Sequence, residues 1–217
     1  MADSLTTLVS VCVLGFMAVR LVSGVRISNS TAGRELVRGV RSRIGWRHVW
    51  PVPVVLAVVV IAASLLMQVP GLDWGWWSAL GGEGNPVFGS TDATIGTVWE
   101  WVIPLVFMAL LLPALPLFAH AEERVFRRGA ETWSRRRRVL KTVQFGLVHA
   151  LIGIPIGAAL ALSLGGSYFL LAYLRSYRTT GSRFEATMES TTAHTVYNAV
   201  IIAIVLVAVA VTPFMPA

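Results

Sequence analysis

The chain has little from which to build a covalent or ionic scaffold. Its 217 residues contain one cysteine, Cys12, which sits inside an apolar run. An intrachain disulfide and a cysteine-based zinc site are therefore excluded. Charge is scarce as well: 13% of the residues are Asp, Glu, Lys or Arg, and Lys141 is the one lysine. No internal repeat, low-complexity tract or linker interrupts the sequence, which reads as a single domain over 1–217. What is abundant is apolar surface, with 55% hydrophobic residues and a mean hydropathy of +0.69. That combination excludes a soluble globular domain and implies an integral membrane protein.

The placement of the few charges carries more information than their number. The net charge is +7 and the pI about 10.7. Seven arginines lie between Arg20 and Arg47, eight basic residues between Arg124 and Lys141, and Arg175, Arg178 and Arg183 form a third group. The stretch from Pro70 to Thr97 has no basic residue and carries Asp73, Glu83 and Asp92. Clustering of this kind reports membrane topology rather than nucleic-acid binding: the basic segments are expected in the cytoplasm and the acidic loop outside. Trp74, Trp76, Trp77, Trp99 and Trp101 fit an aromatic belt on the outer side. The run Arg135 to Arg138 fits a topology determinant in contact with anionic lipid.

Hydropathy predicts an all-α, polytopic helix bundle in the cell membrane. The expected spans are Leu5–Val25, Val49–Val69, Val98–Ala119, Ser134–Gly153, Ile156–Tyr173 and Thr191–Thr212. Most approach the roughly 20 residues needed to cross a bilayer core. Six spans beginning outside place every basic cluster inside. The first is read as a retained helix, because nothing basic precedes it and no clear small-x-small cleavage site follows it. Arg20 near its far end can snorkel to the interface. Kinks are expected near Pro113 and Pro116, and Gly153, Gly157 and Gly165 are expected to allow close helix packing. The fourth span is short. From Lys141 to the Gly153-Ile154-Pro155 break it measures about 18 Å of helix, so either Arg135 to Arg138 open the helix or the segment is re-entrant.

Ionisable residues in such helices are costly, roughly 2.5–3.5 kcal/mol each at the bilayer centre, and so point to function. Glu122 closes the third span. His149 lies about 12 Å of helix beyond Lys141, and His194 about 16 Å beyond Arg183. All three approach one leaflet from the basic side. His194 and Asn198, four apart, share a helix face. Glu123 and Arg127 are spaced to pair with each other, which leaves Glu122 about 100° away to face elsewhere. His120 and Glu189 are read as interfacial.

In order and membrane setting, Glu122-Glu123-Arg124-Val125-Phe126-Arg127-Arg128-Gly129, Phe145-x-x-x-His149 and His194-x-x-x-Asn198 resemble the three motifs of the CPBP family of intramembrane proteases. That family includes type II CAAX prenyl endopeptidases and bacteriocin-processing relatives, and the similar region spans 98–198. The first stretch looks like its Glu-Glu-x-x-Phe-Arg-Gly signature with one inserted Arg.

The resemblance implies an intramembrane peptidase, a hydrolase working by water attack without a covalent intermediate. In that scheme Glu122 and His149 activate the water while His194 and Asn198 stabilise the oxyanion. Glu123, Arg127 and Phe145 are supporting residues. A metal-dependent version would use Glu122, His149 and His194 to hold zinc, with an open fourth position. The expected partners are membrane lipid and a peptide or protein substrate, lipidated or membrane-anchored, met on the cytoplasmic side. Two other readings stay open: a non-catalytic protein on the same scaffold, such as an immunity factor or assembly partner, and a small-molecule transporter. Taken singly, Glu122-Glu123 also reads as a charged helix end, His149 as a packing histidine, and His194 with Asn198 as interhelical glue.

Overall fold

The computed structural model describes residues 2–76 and 96–211, and every regular element among them is helical. Trp77, Glu83, Asp92 and Thr212 lie outside the described residues, as does the side chain of Trp101. In chain order the helices are α1 (Ala2–Ser28), α2 (Thr31–Arg43), α3 (Trp46–Val49), α4 (Pro51–Leu66), α5 (Trp99–Phe126), α6 (Arg135–Leu147), α7 (Ile156–Thr180) and α8 (Arg183–Val211). Short 3-10 turns cover Ala130–Thr132 and Val148–Ile152.

Local chemistry accounts for several of these boundaries. The Ser30 hydroxyl accepts the Gly33 amide at 3.1 Å and caps α2, and Ser134 caps α6 through the Arg137 amide at 3.3 Å. Pro51 opens α4 at the first helical position, where a missing N–H leaves nothing unpaired. Helix α5 runs without interruption through Pro104, Pro113 and Pro116, where kinks were predicted for the last two.

Among the described residues, four stretches are long and apolar enough to cross a membrane: Trp46–Leu66, Leu105–Thr132, Ile156–Thr180 and Arg183–Val207. Of the six predicted spans, the first falls within α1, most of whose side chains up to residue 18 lie outside the described residues, and the fourth, covering α6 and the 3-10 turn after it, is not among these four. Helix α6 has only 13 residues, about 20 Å, and it opens on four arginines. Two backbone hydrogen bonds nevertheless fix how far this segment travels. The Ile156 amide donates to the Trp74 carbonyl at 3.0 Å, and the Gly157 amide to the Leu72 carbonyl at 2.6 Å. The Gly153-Ile154-Pro155 break is thus docked just beyond the far end of α4, and the chain from Arg135 to Pro155 runs from the basic end of the bundle to the opposite end. Gly153 has φ 90°, a left-handed conformation that turns the chain into α7.

Helix α8 is the centre of the bundle, packed on α5 and α7 and flanked by α2 and α3, while α7 also receives α4 and α6. Half of α8's apolar window is buried, against 11% for Trp46–Leu66. Phe145, Phe169, Val196 and Tyr197 form the core where α6, α7 and α8 meet. Close approach there depends on Gly146, where an added Cβ would collide with the Ala159 carbonyl and with Ser163. The end of α5 is held by a separate clasp. Tyr173 on α7 accepts from the Gly129 amide at 2.9 Å and donates to Glu131 at 2.8 Å, and Glu131 also pairs with Arg183 at the start of α8. This clasp sets the position of the acidic pair at Glu122 and Glu123.

Candidate active site

The last turns of α5 present two adjacent carboxylates to very different surroundings. Glu123 is fully buried and its Oε1 lies 3.1 Å from the Arg127 guanidinium, which is itself 1% exposed. The predicted pairing of these two is present. Arg127 also donates to the Gly166 carbonyl at 3.2 Å, and its guanidinium lies 3.9 Å from the centre of the Phe145 ring. A buried guanidinium cannot shed its charge, so Glu123 is its counter-ion. The second Glu123 oxygen accepts the Ser190 hydroxyl of α8.

His194 is fixed by that same carboxylate. Its Nδ1 lies 2.9 Å from Glu123 Oε1, and its ring stacks on Phe169 with centroids 4.2 Å apart. Because an ionised carboxylate only accepts, Nδ1 carries the proton, and in the neutral ring Nε2 presents a lone pair. That lone pair points to Glu122, whose Oε2 is 3.8 Å from Nε2 and has no hydrogen-bond partner. The Glu122 side chain as a whole is 36% exposed, while the oxygen that faces His194 is itself buried. The result is a line of carboxylate, imidazole and carboxylate with its inner end sealed and its outer end open. A gap of 3.8 Å is too long for a direct hydrogen bond.

His149 sits in the 3-10 turn after α6 rather than on a regular helix. Its Nδ1 donates to the Phe145 carbonyl at 2.8 Å, which leaves Nε2 unprotonated in the neutral ring. Phe145 joins the two imidazoles, its ring meeting His149 edge-on at 5.2 Å and His194 at 5.5 Å between centroids. No ion pair or hydrogen bond among the described residues links Glu122 to His149, so His194 is the imidazole at the acid. Asn198 is half-buried one turn beyond His194, and its side chain makes no hydrogen bond to a described residue. Glu122, Glu123, Arg127, Phe145 and His194 are therefore brought together, His149 joins them across a phenyl ring, and Asn198 shares the His194 face.

The three-ligand metal set does not assemble. Among the described residues no three His, Cys, Asp or Glu side chains are grouped so as to hold one ion.

Two residues read as interfacial take part in specific contacts. The Thr191 hydroxyl donates to the Thr187 carbonyl at 2.7 Å, so it must accept from His120 Nδ1 at 3.2 Å, which turns His120 toward α8. Glu189 receives Arg47 at 2.9 and 3.0 Å and the buried His48 at 3.1 Å.

Sequence reasoning missed Ser190 and Gly166. Ser190 could have been found as the residue four before His194, on the same face. Gly166 had no such signal: its role is to leave room, since a Cβ there would lie 2.7 Å from Phe145 and 2.9 Å from Arg127. No family model, curated protein or solved structure matches the chain.

Proposed function

We propose that the chain is a multi-pass intramembrane endopeptidase of the CPBP type, with six membrane crossings, the N-terminus outside and the basic ends in the cytoplasm. The observation that carries this reading is the approach of Glu122 to His194. A partly exposed carboxylate turns a buried, unpartnered oxygen, at 3.8 Å, to the second nitrogen of an imidazole whose other nitrogen is locked by a buried carboxylate. A general base needs this combination: a group able to take a proton, a neighbour that orients the water, and a support that fixes the neighbour's tautomer.

In the reaction so proposed, a water between Glu122 and His194 attacks the carbonyl carbon of a peptide bond, giving its proton to Glu122. The carbonyl oxygen becomes an oxyanion, for which the Asn198 amide is the remaining donor. Collapse breaks the C–N bond, and the proton held by Glu122 passes to the leaving amine. His194 thus takes the part that the family resemblance implies for His149, while Glu122 and Asn198 keep their own. No step passes through zinc. The substrate is a lipidated or membrane-anchored peptide reached from the cytoplasmic leaflet.

A second reading is favoured by one observation, the near-complete burial of Glu123, Arg127 and His194. On that reading the cluster is interhelical glue in a non-catalytic scaffold. The purified chain in lipid vesicles, supplied with a library of membrane-anchored peptides, separates the two. Glu122→Gln should retain the fold and lose turnover by about 10²–10⁴-fold, the usual contribution of a general base. Turnover by Glu122→Gln equal to that of the parent contradicts the peptidase.

A further inference from the structure

Helix α8 carries a second polar face, turned toward α2 and α3 rather than α5, and it borders a cavity of about 630 Å³. At one end of the cavity stand Arg43, Arg47 and Arg175, and at the other Trp50, Tyr168 and Leu171. The apolar end is open to the outside of the bundle, since Leu171 is 66% and Trp50 55% exposed. In a helix bundle of this composition that outer surface meets acyl chains, and a tryptophan at a helix start marks the headgroup level.

The charges at the polar end are not equivalent. Arg43 grips Glu185 at 3.0 and 3.1 Å, and Arg47 grips Glu189. Those carboxylates are thereby neutralised and do not repel an anion. Arg175, exposed on α7 and lining the cavity, has neither an ion pair nor a hydrogen bond among the described residues, so its guanidinium donors are uncommitted. One wall is greasy and continuous with the lipid-facing surface, and one cation waits at the headgroup level.

We infer that this cavity holds one membrane phospholipid, its phosphodiester on Arg175 and an acyl chain against Leu171 and Trp50. A soluble anion would satisfy Arg175 and leave the apolar wall uncovered. A neutral lipid would cover the wall and leave the guanidinium without a partner. Only an amphiphile with an anionic head does both, and the bilayer supplies it at high local concentration. The site is independent of the peptidase reading, because neither Glu122 nor His194 lines it.

The test titrates the full chain, purified in detergent and stripped of lipid, with three probes followed by native mass spectrometry: phosphatidylglycerol, diacylglycerol with the same acyl chains, and glycerol phosphate. Saturable binding of one phosphatidylglycerol per chain is expected, with diacylglycerol about tenfold weaker or more, as befits loss of a charge-assisted hydrogen bond. Glycerol phosphate should not displace the lipid. Arg175→Gln should weaken phosphatidylglycerol binding about tenfold, while Arg136→Gln, equally exposed but at the start of α6, should leave it unchanged. Equal binding of the two lipids overturns the inference, as does displacement by glycerol phosphate. Equal losses in Arg175→Gln and Arg136→Gln also overturn it, because the attraction would then belong to diffuse surface charge. The same titration on Glu122→Gln should match the parent whether or not that variant cleaves peptides.

Discussion

Helix α8 supports two networks of carboxylates and cations, and they obey different physics. On the α5 side, Glu123, Arg127, His194 and Ser190 are each at most 2% exposed. On the α2 and α3 side, Arg43 with Glu185 is 27% and 41% exposed, and Arg47 with Glu189 is 67% and 20% exposed. A buried pair is stripped of water and must be internally complete, because removing one member strands the other's charge in a medium that cannot solvate it. An exposed pair has solvent to fall back on and contributes little. The inner network is therefore a fixed mould, and Glu122, at its edge, is the member of the acidic pair whose side chain is partly exposed.

The largest effect should come from breaking the inner network at one end. Arg127→Ala leaves Glu123 buried without its counter-ion and is expected to cost about 3–5 kcal/mol of stability, read by denaturant or thermal unfolding in micelles. Replacing both partners, Glu123→Leu with Arg127→Met, should cost less than Arg127→Ala alone, since no charge is then stranded. A double variant less stable than the single one would show that the pair is not coupled in this way.

Next in size is Gly166→Ala. Its Cβ would press on the Phe145 ring and the Arg127 guanidinium at 2.7 and 2.9 Å. Overpacking of this kind costs roughly 1–3 kcal/mol, and the displaced Phe145 should lower peptide turnover more than substrate binding. The kcat-to-KM split checks this.

Glu185→Gln, on the outer network, should change stability by less than about 1 kcal/mol, and by less again at high salt. An inner-sized loss there would erase the distinction between the two networks. The smallest effect concerns metal: because Glu122, His149 and His194 do not converge on one point, a chelator should leave turnover unchanged. Loss of turnover that zinc restores would contradict that expectation.

Much of the outer architecture was legible in the sequence because it depends on composition. Long apolar runs gave the helices, and the Gly153-Ile154-Pro155 break fell where the chain turns into α7. The Glu123–Arg127 pair was legible because four residues make one helical turn. What could not be read were the meetings between helices. His194 reaches Glu123 across 71 residues and Ser190 reaches it across 67, distances over which no local pattern survives. For the same reason the sequence could not say which histidine stands beside Glu122. The fourth segment was ambiguous on length alone, and its extent became clear only from backbone hydrogen bonds to Leu72 and Trp74.

The central claim is that Glu122 is a working base held against a structural frame, and paired measurements on Glu122→Gln test it most directly. With membrane-anchored peptides in vesicles, the account predicts an unfolding midpoint close to the parent's and turnover lost by two or more orders of magnitude, roughly the worth of a general base. Undiminished cleavage by Glu122→Gln, or a collapse of its stability to the level of Arg127→Ala, would contradict it.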